Sequence, residues 1–380
     1  MYVREDLLEE VRMDFNAIET AKKLWVYGYS NLGRNAFNKL HSIWPEKAAG
    51  IIVTKNNKRS LSSNKNIVEI ENADISDSII VIATNSLYHT AIIEKLKEKC
   101  AEFSNYIIYN EALDDWLNDK LKQIPLLETR LLAVSVGQAC NYKCKDCANF
   151  VPFAKKENLR YEIDDIKKDL DIIMPYFSVI DKLHIQGGEP FVYSDLPALI
   201  EYISGGYSDK IKNIQIATNG SIVPSKAVLE ALSKGKCTVR ISNYKKGEAE
   251  KVLIKKLEEY GIKYEKYDFV GKKGEWKDSG GLNYVSPIDE DVYLKVLECG
   301  WSTCYTMENG IIGRCARSIP ARSLQDIVIK KEDYINVRES IDIVEISKYF
   351  MFLRPMESCK HCKGSRGEPI KAAIQIGEEG

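Results

Sequence analysis

Apolar residues fall into short unbroken runs separated by stretches with helical spacing, and this alternation dominates the first 110 residues. The run "KLWVYGYS" predicts a strand. "NLGRNAFNKLHSIW" carries apolar residues at Leu32, Ala36, Phe37, Leu40 and Ile43, the spacing of one helix face. "AAGIIVTKN" and "SIIVIATNS" predict two more strands, "HTAIIEKLKEKC" a second amphipathic helix, and "AEFSNYIIYN" a further short strand. Strands that alternate with helices form a parallel sheet covered on both faces. Residues 112–130, "ALDDWLNDKLKQIPLLETR", are polar and helical with one proline, and read as a connector.

A second alternating series begins at "LLAVSVG" and continues through "EIDDIKKDLDIIMPYF", "KLHIQGG", "DLPALIEYIS", "NIQIATNG", "SKAVLEALSK", "CTVRISN", "EAEKVLIKKLEEYG" and "IKYEKYDF". These β/α units are enough for a partial barrel. Ser225 is placed to cap the helix "KAVLEAL", and Gly261 to end "LEEY". Beyond a Gly-, Lys- and Ser-rich loop come a short helix, the hairpin-like "CYTMENGIIGRC" with an Asn309-Gly310 turn, and a late helix. The expected organisation is α/β throughout: a Rossmann-like parallel sheet over 1–122, a partial (β/α)6 barrel over 123–285, and a small cysteine-rich hairpin-and-helix region over 286–380.

Composition narrows the function. The chain has 380 residues, 44% hydrophobic and 29% charged, with a net charge of -1. That balance attracts neither nucleic acid nor an anionic membrane. The acidic, amphipathic opening differs from a secretory signal, and no run of eighteen apolar residues occurs, so the expected compartment is the cytoplasm. Ten cysteines in a reducing compartment are poor candidates for disulfides. Cys100 and Cys237 stand alone. The rest form two sets: Cys140, Cys144 and Cys147, then Cys299, Cys304, Cys315, Cys359 and Cys362.

The first set, C-x3-C-x2-C, sits on a loop directly after a strand. Zinc wants four ligands, and no fourth Cys or His lies nearby. Three thiolates can hold three irons of a [4Fe-4S] cluster and leave the fourth iron open. A redox-active thiol pair or a chance group of buried thiols is the competing reading. The string "CNYKCKDC" resembles the signature of the radical SAM enzymes, and the resemblance covers about 131–285. It implies that the open iron binds S-adenosylmethionine. "HIQGGEP" is similar to the family's GGE motif, which implies that Gly187, Gly188 and Glu189 hold the methionyl ammonium. "IQIATNG" resembles the ribose-contacting position through Thr218 and Asn219, and "RISN" a later polar site through Ser242 and Asn243. The family often has an aromatic residue before the third cysteine. Here that position is Asp146, which moves the expected adenine cover to Phe150 or Phe153.

The second set resembles the SPASM/twitch auxiliary domain, in its short twitch form. That resemblance implies one further [4Fe-4S] cluster held by Cys315, Cys359, Cys362 and either Cys299 or Cys304. A zinc site with His361 as a competing ligand is the alternative.

In the first layer, "YGYSNLGR" puts Ser30 where a dinucleotide fingerprint has its middle glycine. The second strand also ends without the acidic residue that holds an NAD ribose. A phosphate contact through Tyr27, Ser30 and Arg34 is the open possibility. Cys237 is either a hydrogen-atom donor to a substrate radical or an inert core thiol, and His184 either a base or a satisfied core ring; the inert reading is preferred for both. Lys272, Lys273 and Lys277 read as a solvated lid edge.

The resemblance thus implies reductive cleavage of S-adenosylmethionine to a 5'-deoxyadenosyl radical, with a reductant such as flavodoxin or ferredoxin as partner. The expected substrate is a sugar or nucleotide-sugar, oxidised or epimerised in glycan assembly. Peptide modification is the alternative, and a zinc-stapled non-catalytic binding protein the remote one.

Overall fold

The computed structural model describes residues 15–54, 67–101, 103–121, 127–244, 247–269, 275–325, 327–339 and 343–377. The chain's opening and the loop lysines Lys272 and Lys273 lie outside the described residues. Two compact units divide after Glu128. No described helix is long and apolar enough to cross a membrane.

The first unit is a five-stranded sheet in the order β3-β2-β1-β4-β5. Its strands are β1 (Lys23–Tyr27), β2 (Ala48–Val53), β3 (Ile67–Glu69), β4 (Ser78–Ile82) and β5 (Tyr106–Ile108), all parallel. With α1 (Asn16–Thr20), α2 (Asn31–Ile43), α3 (His89–Lys99) and α4 (Glu111–Lys120), this is the strand order of a doubly wound layer. The central strands β1 and β4 are the expected unbroken apolar runs, because neighbours cover them on both sides. The three-residue β3 was not expected.

The stretch expected to be a connector contains α4, which is packed into this unit. Leu113 and Leu117 are fully buried, and buried Asp114 pairs with Lys39 of α2 at 2.5 Å. Asp114 also accepts from Tyr109 Oη at 2.5 Å. The polarity that suggests a linker is therefore an internal charge pair. The three groups considered for a phosphate are likewise engaged internally. Tyr27 Oη bonds Thr54 Oγ1 at 2.9 Å, Ser30 caps α2 by accepting from Gly33 N–H, and fully buried Arg34 pairs with Glu128 at 2.7 Å.

After β6 (Leu127–Thr129), the second unit is built on an eight-stranded sheet. Six of its strands are β7 (Leu132–Ser135), β9 (Leu183–Gln186), β10 (Ile214–Thr218), β11 (Thr238–Asn243), β12 (Lys263–Asp268) and β14 (Tyr305–Glu308); the short β8 (Phe177–Ile180) and β13 (Glu275–Lys277) lie outside this sheet. The six run parallel in the order β12-β11-β10-β9-β7-β14: five come from the region expected to form a partial barrel, and the sixth, β14, from the region expected to form the cysteine-rich unit. The expected hairpin is part of the same sheet. From β14 the chain turns at Asn309 (φ 47°) and Gly310 (φ 79°) into antiparallel β15 (Ile311–Gly313), which β16 (Ile335–Asn336) then joins. Ser225 caps α7 (Lys226–Lys234), and Gly261 follows α8 (Glu248–Glu259) with φ 64°, both as the sequence implies.

The faces of this sheet differ. Leu132, Val134, Leu183, Ile185, Ile214, Ile216, Val239, Ile241, Tyr305 and Met307 point one way and are at most 6% exposed. Helices α5 (Ile163–Ile173), α6 (Leu196–Gly206) and α7 bury complementary apolar faces. The alternate residues, Ser135, His184, Gln186, Gln215, Arg240, Ser242, Thr306 and Glu308, are polar. A parallel sheet is ordinarily apolar on both faces. This one has a polar lumen, and a polar lumen is a place for ligands.

Candidate active site

The site lies where the strands end. A cavity of about 230 Å³ is lined by Cys140, Cys144 and Cys147 from the loop after β7, by Gly187 and Gly188 after β9, by Thr218 and Asn219 at the end of β10, and by Ser242 of β11. Motifs up to about a hundred residues apart in the chain thus share one wall. Gly187 and Gly188 are needed because the turn after β9 crosses the stem of the cysteine loop. A Cβ on either would lie 2.2 Å from a carbonyl oxygen, that of Gly137 or Ala139. Gly188 N–H donates to Gly137 at 2.9 Å and Glu189 N–H to Ala139 at 2.8 Å. The glycines fasten the loop to the sheet, besides any approach to a ligand.

Glu189 is 1% exposed and is not among the cavity-lining residues. Its carboxylate accepts from Asn219 N–H at 2.7 Å and Phe191 N–H at 3.1 Å, joining the ends of β9 and β10. Burial raises its pKa to about 7, against the pull of those N–H groups and Thr218. Asn219 Nδ2 donates to Asn141 at 2.9 Å, which ties β10 to the cysteine loop. Asn243 points away and donates to Asp268 at 2.7 Å.

Burial pushes the Cys140 thiol up to about 11, and nearby Glu189, Cys144 and Cys147 add to it. Cys147 is raised by burial, although Val151, Asn149 and Phe150 N–H groups and Arg317 oppose the shift. Phe150 (φ 55°) turns the chain there. Thiols that line one cavity become thiolates together only beside a cation. Cys144 has a further partner: Gln375 Nε2 donates to its sulfur at 3.2 Å. Segment 373–376 runs antiparallel along the loop, with Lys145 N–H bonded to Ile374 and Ile376 N–H to Lys143.

The second set forms its own site. Cys299 at the end of α9 (Val292–Glu298), Cys315 after β15, and Cys359 and Cys362 line a cavity of about 40 Å³. Burial, then the other thiols, raises Cys315, and burial pushes Cys359 up to about 12. Cys304 is not among the lining residues; of the other thiols only Cys299 acts on it. Between the two sets stands Arg317, 4% exposed. It donates to the carbonyls of Ala148 (3.2 Å), Gly280 (2.6 Å) and His361 (3.5 Å), and lies 4.0 Å from the Phe150 ring centre.

Other sequence candidates fall elsewhere. Cys237 is 2% exposed just before β11, at the end of the strand opposite the cavity, with its sulfur beside Gly235. Phe150 is covered by Arg317, and Phe153 is exposed. The aromatic residues that line the cavity are Tyr142, Tyr244 and Trp276, with Tyr244 and Trp276 edge to face at 5.3 Å. His184 lines the lumen as well, instead of lying in the apolar core. An aromatic directly after "RISN" and a tryptophan in a glycine-rich loop were the available signals.

A scan against protein-family models found no match. Among curated proteins, the chain is 25% identical over 279 residues to a probable GTP 3',8-cyclase of Methanococcus aeolicus, covering 64% of this chain and 83% of that one. It is 34% identical over 104 residues to the GTP 3',8-cyclase of Alkaliphilus oremlandii, covering 27% and 31%. The chain therefore spans most of the first relative and under a third of the second. A crystal structure of BtrN in complex with AdoMet and 2-DOIA aligns over 58% of this chain and 81% of that one, at 15% identity and TM-score 0.39. The likeness to the GTP 3',8-cyclases and the three thiols at the strand ends agree with the resemblance to the radical SAM enzymes that the sequence carries.

Proposed function

We infer that Cys140, Cys144 and Cys147 ligate a [4Fe-4S] cluster and that the neighbouring strand ends bind S-adenosylmethionine. The observation that carries this is the shared cavity: three thiols and the ends of β9, β10 and β11 line it, and no carboxylate or fourth thiol does. Among the described residues, no three His, Cys, Asp or Glu side chains are grouped to hold a single metal ion. A mononuclear zinc site would draw sulfurs to within about 4 Å of one another, given a Zn–S bond of about 2.3 Å. Wider thiol groups around a cavity suit a cluster.

The second cavity is read in the same way, with Cys299, Cys315, Cys359 and Cys362 as ligands of an auxiliary [4Fe-4S] cluster. When bound, the cofactors supply a radical that removes a hydrogen atom from a substrate carbon, and an electron acceptor for its oxidation. The chain's own residues bind, orient and exclude water. Thr218, Asn219 and Ser242 offer polar contacts to the nucleoside and methionyl groups, while Tyr142, Tyr244 and Trp276 supply apolar walls. Glu189 fixes the spacing of two strand ends and, through that, the shape of the pocket.

The substrate we favour is a sugar or nucleotide-sugar, oxidised or epimerised. The polar lumen supports it, and the likeness to GTP 3',8-cyclases agrees with a nucleotide-bearing substrate. A cytoplasmic setting and a flavodoxin or ferredoxin partner complete the proposal. Protein reconstituted anaerobically should hold about eight irons with matching sulfide. It should also release 5'-deoxyadenosine, and Cys144→Ala should abolish that release while keeping the auxiliary iron. Zinc in place of iron would overturn the cofactor assignment. Turnover of peptides alone would overturn the sugar reading.

A further inference from the structure

Two side chains of the lumen, His184 of β9 and Arg240 of β11, have no role in the reading above, yet both line the cavity. His184 Nδ1 lies 3.0 Å from Gln215 Oε1. The Gln215 amide nitrogen donates in turn to Glu265 Oε2 at 3.2 Å. A carboxylate only accepts, so this bond decides which end of the amide faces the imidazole. The proton is thereby assigned to Nδ1, which leaves a lone pair on Nε2 with no hydrogen-bond partner among the described residues.

Arg240 donates to Ser242 Oγ at 3.1 Å and lies 4.6 Å from the Tyr267 ring centre. No Asp or Glu lines the cavity. The charges acting on His184 are Arg240 and, on its own side, Lys182, with Glu265 reached only through Gln215. Burial, then Arg240 and Lys182, lowers the imidazole pKa to about 4, so it is neutral at ordinary pH. The floor of the lumen therefore offers one proton acceptor and one cation. The in-register neighbour of Arg240 on β12 is Glu265, but its carboxylate accepts from Gln215 and Tyr267 and no ion pair joins it to Arg240, so an anion in the cavity can still pair with the guanidinium.

Depth separates this floor from the cofactor positions. Arg240 precedes Ser242 by two residues, and His184 precedes Gln186, the last residue of β9, by two. At about 3.3 Å per residue each is a step of roughly 7 Å down the strand.

We propose that the floor is the substrate's anchoring subsite and takes a polyol carrying an oxyanion: a substrate hydroxyl donates to His184 Nε2, and the anionic oxygens accept from Arg240. The proposal rests on the radical SAM reading of the strand ends and narrows the substrate to a charged sugar, a phosphate or a carboxylate. Hydrogen-bonded charge pairs of this kind are the strong ones.

The chain has 4 histidines, so selective 15N-histidine labelling of the reconstituted, oxidised protein is practical, with His184→Gln to assign the resonance. The probes are inorganic phosphate, glucose 6-phosphate, glucuronate and glucose. Saturable binding of glucose 6-phosphate or glucuronate should move the His184 ring resonances and raise its pKa. Inorganic phosphate should raise the pKa with a smaller change at Nε2, and glucose should do neither. Arg240→Gln should weaken the charged probes at least tenfold, and Arg240→Lys should restore part of it. A response to glucose 6-phosphate but not glucuronate selects the phosphate, and the reverse selects the carboxylate. No response to any probe, an equal response to glucose, or unchanged binding in Arg240→Gln overturns the proposal. Release of 5'-deoxyadenosine, measured on the same preparation, reports separately on the strand-end reading.

Discussion

Replacing Arg317 with methionine keeps the stem and removes the guanidinium, so it asks what the buried charge between the two thiol sets contributes. The wild-type group makes two good hydrogen bonds, to Ala148 and Gly280, one at the distance limit to His361, and a stacked contact with Phe150. Hydrogen bonds to a charged group contribute about 1.5–3 kcal/mol each, and a desolvated cation–π contact about 2 kcal/mol. Against this stands the cost of burying the charge, which holds the Arg317 pKa below its ordinary value even though Cys362, Cys315, Asp278 and Cys147 favour the charged form. Removal recovers that cost but strands the carbonyl oxygens, at about 1–3 kcal/mol for each that water does not reach. Taking about 3 kcal/mol, and about 2–4 °C per kcal/mol for a unit of this size, the melting temperature of the second unit should fall by about 6–12 °C. Calorimetry on cofactor-free protein under anaerobic, reducing conditions measures it, with Arg317→Lys as the charge-retaining control. A fall of under about 2 °C in Arg317→Met would refute the reasoning, because the guanidinium would then be no more than a passenger.

Other outcomes follow from the same geometry. Cys359→Ala should lose about half the iron, and Cys304→Ala should lose none, by metal analysis, since only the former lines the second cavity. Gln375→Leu removes the amide hydrogen bond to the Cys144 sulfur, so the first cluster's midpoint potential should shift downward in an EPR-monitored titration, with iron content unchanged. Glu189 has a folded pKa raised from 4.5 to about 7, so the stability it supports is complete below about pH 4.5 and lost as pH rises to 7. That span corresponds to roughly 3 kcal/mol, and Glu189→Gln should flatten it in cofactor-free denaturant titrations. In the first unit, Lys39→Met should destabilise by roughly 3–5 kcal/mol by stranding Asp114, and adding Asp114→Asn should recover much of that in thermal melts.

The strands and helices were legible wherever burial is continuous or one-sided, as in β1, α2, β4 and α7. The sequence hid β3 because three residues carry too little periodicity, and it disguised α4 because Asp114 and Asn118 look solvated until Lys39 is seen between them. The thiol sets were legible by spacing, while Thr218, Asn219 and Ser242 were pointed to by the resemblance and line one cavity at successive strand ends. What spacing leaves open is which of Cys299 and Cys304 meets the other three, and the cavity includes Cys299. Arg317 and Gln375 carry no local signal, since their partners come from chain closure, while Tyr244 and Trp276 were marked only by their places after "RISN" and in the glycine-rich loop. The lumen was misjudged at His184 for a simpler reason: a single histidine in an apolar run reads as core, while the alternation of polar residues across five strands emerges only when the strands are set side by side.

The pairing of residues 143–145 with residues 374–376 sets an order of events during synthesis. The Cys144 sulfur waits for an amide 231 residues further along the chain. At about 5–20 residues per second that is roughly 12–46 s of translation during which the loop is made but uncovered. Iron that arrives before residue 375 is made would meet an open loop, whereas iron that arrives after Gln375 has folded back meets one already clasped.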